Sequence, residues 1–271
     1  MHENLVIVRG GGDIASGSIE KLHKCGFNVL VLEVENPSSI RRKVCYGEAV
    51  YTGEMEIEGI KSKKIKYLDE INKMFEERVI PVLIDPMAEC TQILNPVALV
   101  DGILAKKNYG TNRGMAPVTI ALGPGFTAGK DVDIVIETMR GHNLGRLIYE
   151  GEAMTNTGVP GNIGGFTKER VIYSEYEGVI NNIHEIGDIV KKGDILAKIG
   201  GNEVYASIDG VLRGMIRDGF YVTKKFKIAD IDPRKDEQKN CFTISDKSRS
   251  IGGAVLEAVI SSMKKKGFHL F

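Results

Sequence analysis

The thirteen residues LVIVRGGGDIASG at positions 5–17 constrain the fold more than any other stretch of this 271-residue chain. A run of four apolar residues ends in Arg9, three glycines follow, and Ile14, Ser18, Ile19 and Leu22 then recur at helical spacing. The expected order is strand, tight turn, helix. Gly10, Gly12 and Ala15 match the pattern G-x-G-x-x-G/A. Its first small residue permits the turn, its second lets backbone approach a pyrophosphate, and its third lets the helix pack close to the sheet. Gly11 and Asp13 complete the turn, and the helix start offers unpaired N–H groups to an anion. A second strand over 28–34 carries Glu33 about 20 residues past the glycines, where such a turn places a carboxylate for a ribose hydroxyl. Glu35 competes for that role. The alternative is a glycine turn that only joins strand to helix and binds no nucleotide.

Acidic and basic side chains balance at 36 each, with no long single-sign run. Nucleic acid and anionic membrane are therefore not expected partners, and small molecules and proteins are. No apolar stretch approaches the ~20 residues that span a bilayer. The start MHENLVIV lacks a basic n-region and a cleavage site, so a cytoplasmic location is expected. Cys25, Cys45, Cys90 and Cys241 lie far apart without a C-x-x-C, which points to neither a metal site nor a disulfide framework.

After the second strand, Asn36-Pro37-Ser38-Ser39 signals a loop, followed by Ile40-Arg41-Arg42-Lys43-Val44-Cys45. Three cations before a thiol favour thiolate, which would make Cys45 a carrier of sulfur or selenium; the alternative is a small core residue. Arg41 and Arg42 either hold a phosphate at the glycine turn or form a solvated basic loop. A hairpin-like stretch over 49–59, an exposed strand with alternating lysines over 59–66, a short helix marked by Leu68, Ile71, Met74 and Phe75, and buried runs over 79–84 and 96–104 come next. Strands alternating with helical segments imply a parallel sheet, whose ligands bind at strand carboxyl ends. Asp85, Asp101 and Lys106 lie near such ends. A second glycine-dense region then surrounds strands over 118–122 and 134–137: Gly123, Gly125 and Thr127 in one turn, Arg140, His142, Asn143 and Arg146 in the next. Two glycine-lined turns at strand ends exceed what packing requires, and these side chains supply donors for an anionic, heteroatom-rich ligand. Residues 155–165 either fold over a ligand as a lid or link domains.

From Gly178 the chain repeats itself after 32 residues without a gap: GVINNIHEIGDIVKKGDILAKI against GVLRGMIRDGFYVTKKFKIADI. Two halves of short strands with G-D and D-G turns make a small closed β sandwich. The pattern resembles the lipoyl and biotinyl carrier fold, but the connection Gly200-Gly201-Asn202-Glu203 has no lysine for attachment, and Lys198 lies within a predicted strand. An unmodified docking or shielding module is expected. A closing helix shows an apolar stripe of Ile251, Ala254, Val255, Ala258 and Val259, with Ser248 or Ser250 as its cap and Gly252-Gly253 permitting close approach of another backbone. The expected class is α/β: a Rossmann-like parallel-sheet domain over 1–170, a barrel-sandwich module over 171–234, and a linker and packing helix over 235–271.

RGGGDIASG, the stretch around IRRKVCYGEAVY, ALGPGFTAGKDVDIVIETMRGHNLGR, TGVPGNIGG, DIDPR and SRSIGGAVLEA together resemble the YqeB family. The glycine turn is more distantly similar to the Rossmann domain of the XdhC type of molybdenum-cofactor chaperones. The resemblance implies an accessory role in maturation of a selenium-dependent molybdenum hydroxylase, with that enzyme as partner. It implies binding, protection or delivery of a molybdenum-pterin dinucleotide during selenium or sulfur insertion. In that reading the pyrophosphate sits at Gly10, Gly11, Gly12, Asp13 and Ala15, and the pterin reaches Arg140, His142 and Asn143. His142 and Cys45 are the candidates for chemistry. The rival is an NAD(P)-dependent oxidoreductase with an appended β module, using the same glycines, with His142 or Lys106 as proton donor. A homo-oligomer through a sheet edge or the closing helix is compatible with either.

Overall fold

The computed structural model describes residues 4–268, which divide into two compact units. The first comprises the residues up to Pro37, Cys45–Asn156 and the chain from Ile244 on; the second comprises Ser38–Val44 and Thr157–Thr243. This division differs from the expected boundaries at 170 and 234. The closing helix belongs with the sheet, and a seven-residue piece before Cys45 belongs with the β unit, because each lies in the core it helps to fill.

In the first unit, β1 (Leu5–Arg9), α1 (Asp13–Lys24) and β2 (Asn28–Glu33) form the expected βαβ unit. The chain continues through α2 (Ala49–Thr52), β3 (Glu54–Ile57), β4 (Ile60–Lys64), α3 (Ile71–Glu76), β5 (Ile80–Ile84), α4 (Thr91–Leu94) and β6 (Ala98–Asp101). It then runs through β7 (Val118–Leu122), β8 (Thr127–Ala128), β9 (Ile134–Ile136), β10 (Leu147–Ile148) and β11 (Gly151–Glu152), and ends in α5 (Asp246–Lys265). Nine strands make one sheet in the order β10-β9-β7-β6-β1-β2-β5-β4-β3. Every pairing from β4 to β9 is parallel, and β3 and β10 close the edges antiparallel. β8 and β11 pair separately. The continuous apolar runs of β1, β7 and β9 are what a parallel sheet covered on both faces requires.

One face packs Val6, Val8, Val29, Val31, Val100 and Ile120 against α1 and α5; the other packs Leu5, Ile7, Leu30, Leu32 and Leu99 against Ile71, Met74 and Ala88. No helix lies in the β6–β7 or β7–β9 connection. The closing helix α5 covers β7 and β9 where crossover helices would otherwise lie. It also meets α1 at backbone distance: a Cβ on Gly17 would stand 2.2 Å from the Ser248 carbonyl oxygen, and one on Gly252 would stand 2.3 Å from the Gly17 oxygen. Ser248 Oγ is buried in the crossing, placed to donate to Asp13 O (2.8 Å) or Ile14 O (2.9 Å), and accepts from Gly17 N (3.0 Å).

The second unit holds β12 (Val171–Tyr173), β13 (Gly178–Asn182), β14 (Ile189–Val190), β15 (Ile195–Ile199), β16 (Asn202–Tyr205), β17 (Gly210–Met215), β18 (Tyr221–Val222) and β19 (Lys227–Asp232). The sequence repeat is visible in the strands, since β13, β14 and β15 begin 32 residues before β17, β18 and β19. Two four-stranded sheets result, β12-β19-β17-β14 and β16-β15-β13-β18. The halves exchange their middle strands: β14 pairs with β17, and β18 with β13. Neither half can complete a sheet alone. One core of Ile180, Leu196, Ile199, Leu212, Met215 and Ile231 serves both. Gly200 and Gly201, at φ +55° and +88°, make the two-residue turn between β15 and β16. Lys198 stands in β15 opposite Glu203, its nitrogen 3.6 Å from that carboxylate. Among the described residues no helix is long and apolar enough to cross a membrane.

Candidate functional site

Gly10, Gly11, Gly12, Asp13, Ala15 and Glu33 come together at the carboxyl ends of β1 and β2. Gly10 adopts φ +91°, a conformation that favours glycine, and a Cβ there would meet the Ile103 backbone at 3.0 Å. A Cβ on Gly11 would lie 2.6 Å from Gly47 N, and Gly47 N donates to Gly11 O at 3.0 Å. Ala15 fits because its neighbour across the interface is Gly102, where an added Cβ would stand 2.8 Å from that of Ala15. The small residues of the turn thus serve the protein's own backbone as well as any ligand.

Glu33 faces the turn. Its Oε1 accepts from Gly11 N at 2.7 Å and its Oε2 from Val34 N at 3.0 Å. Gly47 leaves the room for this, since a Cβ there would be 2.6 Å from Oε1. Burial pushes the Glu33 carboxyl above its ordinary value of 4.5, against the pull of the two N–H donors. The folded protein therefore holds a proton there that the unfolded chain has already released. As pH rises from 4.5 through the raised value, the parent is expected to lose stability relative to Glu33→Gln. Parallel urea titrations of both proteins from about pH 4 to 8 measure this, and a gap opening the other way would mean that the N–H bonds outweigh burial.

Arg41 and Arg42, expected near a phosphate, are engaged in the β unit. Arg41 Nη2 donates to Asn240 O at 3.3 Å; Arg42 donates through Nε to Met215 O at 3.0 Å and through Nη2 to Glu185 at 2.7 Å. Cys45 is buried, and so are Cys90 and Cys241. Asp85 accepts from Glu89 N and Cys90 N at 3.0 and 2.9 Å, which makes it a turn residue. Asp101 is buried beside Arg9, at 3.6 Å, and accepts from Thr111 Oγ1 at 2.6 Å. Sequence reasoning missed Arg9 as anything but a strand end, although a cation closing a buried apolar strand must find partners inside.

The second glycine region is bound up with its neighbours. A Cβ on Gly123 would meet Thr138 Oγ1 at 2.6 Å, and one on Gly125 would meet the Lys106 and Lys107 backbone at 2.6 Å, so packing accounts for both glycines. Thr127 donates through Oγ1 to Glu152 at 2.9 Å. Arg140, His142 and Asn143 are exposed on the loop after β9. Arg140 forms a bidentate pair with Asp246, the first residue of α5, at 2.8 and 2.9 Å. Glu137 is buried, its oxygens accepting from Met139 N and Met154 N at 2.7 and 2.8 Å. Lys247 follows Asp246 and lies within electrostatic reach of Asp13, Glu137, Arg140 and Asp246. The two clusters seen separately in the sequence therefore meet at the first turn of α5, whose cap is Ser245, accepting from Ser248 N at 3.2 Å, and not Ser248 or Ser250 as expected, because Ser248 Oγ is taken up by the α1 backbone. A cavity of about 580 Å³ between Met87, Gln92, Asn95, Asn112, Met115 and Pro117 lies instead beside the entry to β6 and β7.

These features define an α/β protein with a large, mainly parallel sheet, a glycine turn at its carboxyl edge, small antiparallel sheets and a closing helix. No family model matches the chain. It is 50% identical over 259 residues to the uncharacterized protein YqeB of Escherichia coli (strain K12), a match covering 96% of this chain and 48% of that protein. The likeness supports the YqeB resemblance, and the chain spans about half the length of the curated relative it matches. Among solved structures it is similar to the ectoine utilization protein EutE (DoeB) from Ruegeria pomeroyi, at 12% identity and a TM-score of 0.24, over 84% of this chain and 57% of that one. It is also similar to a succinylglutamate desuccinylase from Silicibacter sp., at 10% identity and a TM-score of 0.26, over 84% of each chain. Likenesses at these scores carry no argument about activity.

Proposed function

We propose that this chain binds a molybdenum-pterin dinucleotide at the carboxyl edge of its sheet and serves as an accessory protein in the maturation of a selenium-dependent molybdenum hydroxylase. The observation that carries nucleotide binding is the strand order. With β4, a further parallel strand outside β5, set aside, the strands β1, β2, β5, β6, β7 and β9, numbered one to six in chain order, lie across the sheet as third, second, first, fourth, fifth, sixth. This order supports a doubly wound, Rossmann-type reading, in which the glycine turn after β1, where the order reverses, is where a dinucleotide would bind. The pathway rests on the YqeB resemblance.

The residues present fit such a group. Gly12 is the N-cap of α1 and supplies no side-chain cap, so the first-turn N–H groups remain for phosphate oxygens. Glu33 has lone pairs left for a ribose hydroxyl. Arg140, His142 and Asn143 are donors for the polar pterin. When bound, the pterin supplies the metal-bearing centre destined for the hydroxylase; the chain's part is to hold it and limit its contact with water. The β unit, with its exchanged strands and a glycine turn where a carrier lysine would sit, resembles an unmodified lipoyl or biotinyl domain and docks the partner enzyme.

Gly12→Asp tests the reading. The backbone at Gly12, φ −67° and ψ 175°, is one that a capping aspartate adopts, so the variant is expected to fold and to gain a cap, while its carboxylate repels a diphosphate. Native mass spectrometry of protein produced with the molybdenum and selenium pathways active is expected to find a pterin dinucleotide on the parent and none on the variant. NAD or NADP on the parent, lost in the variant, would replace this reading with the oxidoreductase. A parent carrying no nucleotide would sink both.

A further inference from the structure

The chain between β6 and β7 is irregular rather than helical, and a cavity of about 580 Å³ remains between it and the segment around α4, within the range of small-molecule sites. Its walls are held by buried ties. Arg9 donates through Nε to Pro86 O, just before Met87, at 3.2 Å, and through Nη1 to Thr111 Oγ1, just before Asn112, at 2.6 Å. Asp85 accepts from Glu89 N and Cys90 N at 3.0 and 2.9 Å. Ala88, buried directly before Glu89, is held at φ +57°, a left-handed conformation that a residue other than glycine keeps only where its surroundings impose it. The lining offers two kinds of surface. Met87, Met115 and Pro117 are apolar, whereas Glu89, Gln92 and Asn95, three residues apart along one segment, are polar. Neither the Glu89 nor the Gln92 side chain makes a hydrogen bond or ion pair among the described residues, and Asn95 uses only Nδ2, toward Ile93 O at 3.3 Å. The Asn112 carboxamide is committed to Gly110 O and Gly114 N at 3.2 and 3.0 Å. Among the described residues Glu89 is thus the sole charge in the lining, and its free groups are acceptors apart from the Gln92 amide nitrogen.

We propose that this cavity binds a small organic cation, an alkylguanidinium or alkylammonium whose N–H groups meet Glu89, Gln92 Oε1 and Asn95 Oδ1 while its aliphatic stem lies along the methionines. The sign of the charge selects the class. A carboxylate in a lining without a cation repels phosphates and carboxylates and attracts a positive head. Acceptors with free lone pairs call for a ligand that brings donors, and these two heads bring donors only. Methionine, unbranched and polarizable, adapts to a flexible stem. Of the two heads the guanidinium fits better, because its planar fork gives the carboxylate two parallel N–H groups and leaves others for the neighbouring carboxamides. The preference is opposite in sign to that of the glycine turn, so the inference stands apart from the nucleotide reading.

The full chain, Glu89→Gln and Gln92→Ala are titrated calorimetrically at low salt with four probes. These are butylguanidinium, butylammonium, butylurea as a neutral isostere of the first, and methylguanidinium, which lacks the stem. The parent is expected to bind butylguanidinium about tenfold more tightly than either butylurea or methylguanidinium. Glu89→Gln is expected to lose about tenfold for both butyl cations and nothing for butylurea, and Gln92→Ala to lose about threefold for butylguanidinium. Neither side chain ties down another part of the fold, so both variants are expected to melt with the parent. Glu76→Gln, which removes an exposed carboxylate outside the lining, is expected to bind as the parent does. The order of butylguanidinium and butylammonium tells which head the site takes, and either order supports the inference when binding depends on Glu89. No binding of either butyl cation by the parent, equal binding of butylguanidinium and butylurea, or undiminished binding by Glu89→Gln would overturn it. So would an equal loss in Glu76→Gln, which marks a general attraction of cations to surface carboxylates, or a clearly lowered melting temperature for Glu89→Gln, which makes Glu89 a structural residue.

Discussion

Arg9→Met is expected to cost about 3–5 kcal/mol of unfolding free energy. Arg9 is the last residue of β1 and its side chain is only 2% exposed. Its Nη1 donates to Thr111 Oγ1 at 2.6 Å and lies 3.6 Å from Asp101. Its Nε and Nη2 donate to Pro86 O at 3.2 and 2.5 Å, and Nη2 also reaches Tyr109 O at 2.9 Å. One guanidinium thus ties the loops after β5 and β6 to the strand that carries the glycine turn. Methionine fills much of the same volume, so the cost comes from what is left behind: a buried carboxylate without its cation and two partly buried carbonyls without a donor. Burial already pushes the Asp101 carboxyl upward, with Thr111 and Arg9 holding it down. Without Arg9 it rises further and takes up a proton in the folded state, so the deficit is expected to grow as pH increases. Arg9→Met/Asp101→Asn is expected to recover part of the loss, since no charge is then stranded. Urea melts followed by far-UV circular dichroism suit a chain without tryptophan. A single variant within about 1 kcal/mol of the parent would show that the loops do not depend on Arg9.

What the sequence made legible was local. The βαβ start, the strand over 118–122 and the 32-residue repeat stand where periodicity and turn residues put them. The long-range pairings were not legible. Gly47 lies far from Gly11 in the chain, and Gly125 far from Lys106, so nothing near any one of them announces the contact. In a sequence, a glycine that admits a ligand and a glycine that admits another backbone look alike, because both mark only the absence of a Cβ. Arg41 and Arg42 were misread for a related reason. Their partners Asn240, Met215 and Glu185 come from a part of the chain about 140–200 residues away, and a basic tripeptide looks solvated until such partners arrive. The closing helix was recognised from its stripe, but its first turn became part of the candidate site only through packing on α1.

That packing yields the second large effect, with opposite signs at adjacent positions. Helix propensity alone says that Gly→Ala gains about 0.8–1 kcal/mol anywhere in a helix interior. At Gly253 nothing lies within 4 Å of an added Cβ, so Gly253→Ala is expected to gain about that much. At Gly252 the added Cβ would stand 2.3 Å from Gly17 O and 2.6 Å from its carbonyl carbon, and at Gly17 it would stand 2.2 Å from Ser248 O. Backbone atoms inside a helix cannot swing aside as a side-chain tip can. The two helices must therefore separate by an ångström or so, opening the interface that buries Ile19, Ile251, Val255 and Val259 and stretching the Ser248 hydrogen bonds. Overpacking of this kind costs about 3 kcal/mol or more, which exceeds the propensity gain. Gly252→Ala and Gly17→Ala are expected to be destabilised by several degrees in melting temperature, while Gly253→Ala rises. If Gly252→Ala and Gly253→Ala shifted in the same direction, the close crossing of α1 and α5 would be wrong, and with it the burial of Ser248 against the first turn of α1.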